Sequence, residues 1–226
     1  MSGPRRSLDQ EHSIIEAGHY YGVLLDTREI FIHGDFNIDG ETGTKFVTNI
    51  SILLNRSKDK PIIIHQHSNG GDWNCGMMIF DAIVACPCPI IFICHGIAAS
   101  MGSIIPMACK KHGDAYIINM PNCEWLIHDG TTGINTEHTI KQSRSWGERE
   151  EHIRKLMMDW YADSCVGGKI FEGKSKSQVK QVIKRHLDKK VDWWLTAREA
   201  VEYGFADAVL GDEGFESIAN IKKHWD

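Results

Sequence analysis

The sequence predicts an α/β fold in which parallel strands alternate with helices. Three observations carry that reading. Apolar, β-branched runs of strand length recur at residues 28–34, 61–67 and 90–94. The stretches between them, 44–55 and 73–85, place apolar residues at helical spacing. Each run is followed by turn chemistry, as at Ser68-Asn69-Gly70-Gly71 and at Pro87 and Pro89. Strand–helix alternation of this kind builds parallel sheets.

Taken in order, residues 1–23 read as an N-terminal arm or axial segment, polar at first and mildly apolar from Ile14. A first strand at 28–34 ends in Gly34. Phe46, Val47, Ile50, Leu53 and Leu54 mark the helix at 44–55. A β-branched strand at 61–67 runs into the Gly70-Gly71 loop. Met77, Met78, Ile79, Ala82 and Ile83 mark the next helix, which the two prolines stop. The central strand, Ile90 to Cys94, breaks at Gly96, and small residues lead into a second apolar run at 104–108. Two short strands follow at 115–119 and 125–128. A long, charged stretch at 134–165 reads as a helix, exposed at first and amphipathic later, with apolar positions 153, 156, 157, 160 and 161 that call for a partner surface. Residues 175–187 form a short amphipathic helix. Thr196 with Glu199 makes a capping box, and Gly204 closes that helix. A last strand lies at 206–210, and the tail is polar.

The whole chain, 1–226, reads as a single domain, large enough for a substantial core. A net charge of -5 argues against a nucleic-acid-binding surface. No apolar run approaches about 18 residues, so no membrane span is expected. Residues 1–13 contain no apolar signal region. The seven cysteines, with Cys86, Cys88 and Cys94 in or beside apolar runs, read as reduced thiols. The expected location is the cytoplasm.

Ser100 carries the first chemical signal. It follows the central strand inside Ala98-Ala99-Ser100-Met101-Gly102. A hydroxyl at a strand–helix junction can cap the helix or act as a nucleophile. Both readings stay open on this stretch alone. A serine nucleophile needs a base, an orienting acid and oxyanion donors. His128 closes a short strand and opens the loop His128-Asp129-Gly130-Thr131-Thr132-Gly133. Its plain alternative is a surface or core histidine. Asp192 precedes the apolar patch Trp193-Trp194-Leu195 and is expected to be partly buried. Its plain alternative is a cap. Gly70-Gly71 offers free N–H groups on a loop. His65 and His67, with Cys94 and His95, make a metal site conceivable, but no CxxC or HExxH pattern supports one.

Four ordered blocks, SNGGDWNCGMMIFDAI, ICHGIAASMGS, NCEWLIHDG and DWWLTAREAVEYGFADAV, resemble the ClpP proteolytic subunits of Clp proteases. Those are crotonase-fold serine peptidases. The resemblance runs from about Leu24 to Leu210. It implies repeated strand–helix units with a protruding handle helix at about 134–165. It implies Ser100 as nucleophile, His128 as base and Asp192 as orienting acid. Gly71 and Met101 would supply the oxyanion donors. An extended substrate would run between Gly71-Asp72-Trp73 and Gly130-Thr131-Thr132. The partners implied are copies of the chain in heptameric rings, two of them stacked, an AAA+ unfoldase, and peptide or unfolded-protein substrates. No metal or other cofactor is expected.

The chain departs from the family pattern in two places. The span from His128 to Asp192 is longer, with the extra residues around 169–190. The strand positions that usually carry docking tyrosines are Ile63 and His65, and a nearby family Phe is Ala85. The rival readings are an acyl-CoA hydratase or isomerase on the same fold, a viral capsid-maturation peptidase of related fold, and a catalytically silent ring scaffold.

Overall fold

One long strand that forks organises the sheet. In the computed structural model, which describes residues 7–130 and 139–225, α1 (Leu8–Glu16) and a π-helical turn (Ala17–Tyr21) lead into β1 (Val23–Leu24) and β2 (Glu29–His33). Then come α2 (Glu41–Arg56), β3 (Ile62–Ser68), α3 (Trp73–Val84) and β4 (Ile90–Ala99). The short helices α4 (Met101–Ile104) and α5 (Met107–His112) precede β5 (Ala115–Asn119) and β6 (Glu124–Ile127). The long helix is α6 (Ile140–Cys165), followed by α7 (Lys176–Lys189). β7 (Trp193–Thr196), α8 (Ala197–Tyr203), β8 (Ala208–Val209) and α9 (Ile218–Lys222) complete the described residues.

The main sheet runs β1-β2-β3-β4-β5-β8. From β2 to β8 neighbouring strands are parallel, and β1 is an antiparallel edge. β4 is longer than the five-residue run suggested. The chain does not stop at Gly96. It bulges there at φ 53°, shifts register against β3 after Gln66, and continues. Residues Ile90 to Cys94 pair with β5, and Ile97 to Ala99 pair with β6. β6 in turn pairs antiparallel with β7. A bulge bends a strand without ending it, so one strand serves two neighbours and delivers Ser100 beyond the fork.

Parity along the strands assigns the two faces. Ile62, Ile64, Ile90, Phe92, Cys94 and Ile117 join the main core with α2, α3, α5 and α6. Ile63, Ile91, Ile93 and Ile118 form a second cluster on the other face, closed by Ile221, with Phe215, Ile218 and Trp225 packed against it. The C-terminal tail, polar in composition, therefore supplies the apolar cover of that face.

The long helix begins at Ile140, capped by a Thr139–Gln142 capping box. The earlier part of the expected helix, with Thr131 and Thr132, lies outside the described residues. Three of the apolar positions of α6 are covered within the chain. Met157 and Tyr161 are buried, and Trp160 stacks on Phe80 and Trp73 with ring centroids 4.4 and 5.8 Å away. Ile153 and Leu156 are half-buried. α6 stays exposed over its first part instead, with Ile140 83% and Trp146 46% accessible.

The stretch before Asp192 forms α7. A Ser175–Gln178 capping box starts it, and Val179, Ile183 and Leu187 are buried. Lys180 and Lys176 reach Asp159 and Asp163 of α6 at 2.6 and 2.5 Å. His186 stacks flat on Trp193 at 4.2 Å.

Candidate active site

Ser100 occupies the N-cap position of α4, but its side chain caps nothing. Its Oγ lies 2.6 Å from His128 Nε2. The backbone of Ser100 is at φ 54°, ψ -122°. Among the described residues only Arg28 shares a positive φ without being glycine. Such a conformation costs on the order of 1–3 kcal/mol and persists only where surroundings enforce it. Here the Ser100 N–H donates to Leu126 O at 3.0 Å, across the β4–β6 pairing. The Ser100 carbonyl accepts from the Ser103 N–H at 2.9 Å and from Ser103 Oγ at 2.7 Å.

His128 follows the last residue of β6, so the same strand pairing that fixes Ser100 brings the imidazole to it. For Nε2 to accept the Ser100 proton, Nδ1 must carry the ring hydrogen. Asp192, expected to be partly buried, is exposed. The physical reason is its place on the bend before β7, outside the paired strand. Among the described residues no hydrogen bond joins it to His128. The residue after His128, Asp129, is held instead by Arg154 of α6 in a two-pronged contact, Nε to Oδ1 and Nη2 to Oδ2, both 3.1 Å.

The loop of Gly70 and Gly71 lies beside the nucleophile. Gly70 has φ 108°, and a Cβ there would meet Ser100 Cβ at 2.6 Å and Ala99 O at 2.8 Å. Gly71, φ 135°, bridges in parallel to Phe36, and a Cβ would run into the Phe36 backbone. Both positions require glycine for conformation and for space. The flanking bonds are Phe36 N–H to Gly70 O and Asp72 N–H to Phe36 O, each 2.8 Å. Neither the Gly71 nor the Met101 N–H donates to another group among the described residues.

These residues line one cleft of about 670 Å³. Gly71, Asp72, Trp73, Ser100, Met101, His128 and Gly130 all face it. Asp192 does not line it, and Thr131 and Thr132 lie outside the described residues. Asp72 also caps α3, accepting from the Cys75 N–H at 2.8 Å. Ile104, Leu126, Ile153 and Met157 give the cleft an apolar wall, and Arg149 and Glu150 a charged edge.

Sequence reasoning missed the residues behind this site. Ser103 Oγ meets the Tyr161 hydroxyl at 2.7 Å. The fully buried Gln66 donates from Nε2 to Gly102 O at 2.6 Å. The signal for Gln66 was a polar residue in a β-branched strand. Nothing local marked Tyr161.

The conceivable metal set does not assemble. Cys94 belongs to the main core, whereas His65 Nδ1 and His95 Nε2 bond each other at 2.9 Å elsewhere. His67 is exposed. Among the described residues no group of three or more His, Cys, Asp or Glu could hold a metal ion. Burial first, then the neighbouring His95, pull the His65 pKa down to about 4. All seven cysteines are buried and free. Burial raises the Cys86 thiol to about 11. No helix among the described residues is long and apolar enough to cross a membrane.

Residues 11–213 match the family model described as Clp protease. The ATP-dependent Clp protease proteolytic subunit 2 of Mycolicibacterium paratuberculosis is 30% identical over 213 residues, covering 93% of this chain and 92% of that protein. The subunit 2 of Treponema denticola is 32% identical over 186 residues, covering 82% and 83%. Among solved structures, a point mutant of ClpP1 from Listeria monocytogenes superposes with a TM-score of 0.66 at 24% identity, over 83% of this chain and 93% of that one. The fold is thus of the ClpP type, a mixed sheet with flanking helices. With the model match spanning most of its length, the chain belongs to the Clp protease family.

Proposed function

We propose that this Clp-type endopeptidase is a serine peptidase working through Ser100, His128 and Asp192. One observation carries the proposal. Ser100 Oγ points at His128 Nε2, 2.6 Å away, from a strained turn that leaves its capping role unused. In this reading Ser100 attacks the scissile carbonyl as His128 takes its proton. The Gly71 and Met101 N–H groups receive the oxyanion. His128 then protonates the leaving amine, and water hydrolyses the acyl-enzyme by the same route reversed. Asp192 accepts from the His128 Nδ1–H and steadies the imidazolium. The substrate backbone lies extended between Gly71-Asp72-Trp73 and Gly130-Thr131-Thr132, where main-chain bonds bind peptides of many sequences. No metal or cofactor takes part.

The assembly proposed is a heptameric ring, two rings stacking through α6, in the cytoplasm. Exposed Ile140 and Trp146 on the first part of α6 support a contact there. An AAA+ unfoldase is the proposed supplier of unfolded chains.

A second reading, a catalytically silent ring subunit, is favoured by one observation. Asp192 is exposed and makes no bond to His128 among the described residues. A fluorophosphonate probe decides between them. The peptidase reading expects stoichiometric labelling at Ser100 and cleavage of a short fluorogenic peptide. Intact assembled protein that neither labels nor cleaves overturns it.

A further inference from the structure

The Ser100 turn is enforced from inside the protein. Its carbonyl accepts two hydrogen bonds from Ser103, one from the N–H and one from Oγ. Ser103 is fully buried. A serine hydroxyl has a single hydrogen. With that hydrogen given to the Ser100 carbonyl at 2.7 Å, the Tyr161 hydroxyl must be the donor in its 2.7 Å contact with Ser103 Oγ. Tyr161 is also fully buried, among Phe205 and the core, so it cannot turn to water. Burial raises its pKa far above the usual phenol range, which keeps the donor protonated. The chain of bonds thus runs from α6 through α4 to the backbone of the nucleophile.

We propose that Ser103 and Tyr161 are positioning residues that hold the Ser100 turn in its reactive backbone conformation. The inference rests on the peptidase reading above. Neither side chain touches the cleft or the reacting atoms, and each acts through the Ser100 carbonyl. A non-glycine residue at φ 54° shifts when one of the contacts that enforce it, here the Ser103 Oγ bond, is removed. The relaxation swings Oγ away from His128, and a displacement of about 1 Å costs on the order of 100-fold in rate.

The test compares Ser103→Ala, Tyr161→Phe and the double variant. The readouts are the fluorophosphonate labelling rate, kcat and KM for a short peptide, and the urea midpoint. Ser103→Ala should lower the labelling rate and kcat by about 10- to 100-fold with KM unchanged. Tyr161→Phe should lower them less, because Ser103 Oγ still reaches the carbonyl. Ser103→Ala also strands the buried Tyr161 hydroxyl and lowers the urea midpoint. The double variant removes both partners, and stability recovers. A merely structural role makes activity recover with stability. A positioning role leaves kcat as low as in Ser103→Ala while the midpoint returns. Wild-type rates in the single variants, or recovery of kcat in the double variant, overturn the inference alone. Wild-type protein that does not label overturns the peptidase reading and this inference with it.

Discussion

Ile127 lies directly across from Trp193 in the antiparallel pair of β6 and β7. His128 follows Ile127 and Asp192 precedes Trp193, so each lies one residue beyond that pairing. Directly opposed residues of an antiparallel pair stand close enough for their side chains to meet. Trp193 is itself held by the flat stack of His186 from α7. A strand register and a helix packed behind it therefore fix Trp193, the residue that Asp192 precedes. In the proposed mechanism Asp192 accepts from His128 Nδ1.

Asp192→Asn should accordingly lower kcat by about 10² to 10⁴ while KM and the urea midpoint stay near wild type. The carboxylate is exposed, so its replacement costs the fold little. The check is steady-state peptide cleavage beside equilibrium unfolding. An undiminished kcat removes Asp192 from the mechanism.

Ser100→Ala should abolish labelling and reduce cleavage by several orders of magnitude. The smaller side chain fits the same turn, and the carbonyl bonds from Ser103 remain. Assembly should be unchanged by light scattering. Cleavage at the wild-type rate identifies another nucleophile.

Much of this arrangement was legible in the sequence, for local reasons. The strand–helix order, the Thr196–Glu199 capping box and the Ser100 junction all follow from neighbouring residues. What was not legible depends on packing. β7 hid inside Trp193-Trp194-Leu195, where two adjacent tryptophans mask an alternation that leaves Trp193 and Leu195 buried and Trp194 exposed. The continuation of β4 past Gly96 depends on β6, which the sequence shows as a separate segment. The apolar side of α6 looked unpartnered because Trp73 and Phe80, which cover Trp160, come from a distant helix. Tyr161 reaches Ser103 only through the completed fold.

His65 makes stability depend on pH. Its folded pKa of about 4 lies below the unfolded value of 6.5. The unfolded chain thus takes up this proton first. Stability is complete above about pH 6.5, declines as pH falls towards 4, and levels below that. The loss from this group is on the order of 3 kcal/mol. His95, lowered by burial and then by His33 and His67, acts in the same direction. Urea midpoints at pH 7 and pH 4.5 measure the loss. The gap between them should narrow in His65→Leu, and an unchanged gap assigns the acid sensitivity elsewhere.

The first part of α6 should carry an assembly contact. Ile140 and Trp146 are exposed on a helix otherwise rich in charge, and the proposed ring would cover them with a second copy. Light scattering should show a multiple of the 25.5 kDa chain. Ile140→Glu with Trp146→Glu should reduce that mass. A wild-type monomer at all concentrations excludes the ring.

The docking positions implied by the family resemblance are altered more deeply here than by composition alone. Ile63 is fully buried in the cluster that Ile221 closes. His65 is buried too, stacked on Phe31 at 4.8 Å and bonded to His95. Only Ala85 is exposed. An apolar loop from a partner would find neither an aromatic anchor, which often dominates such contacts, nor an open groove at Ile63. Restoring aromatics with His65→Tyr and Ala85→Phe leaves the cover formed by Phe215, Ile221 and Trp225 in place. Degradation of a tagged folded substrate with a generic bacterial Clp unfoldase should therefore be weak for the unmodified protein and little improved by those two substitutions. Loss of residues 216–226 together with them should raise it further, because Ile218, Ile221 and Trp225 then no longer cover the β3–β4–β5 face. Each loop gains about 25 cal/mol per Å² of apolar area it buries, and several loops around a ring compound the gain. Efficient degradation by the unmodified protein shows that the partner docks elsewhere.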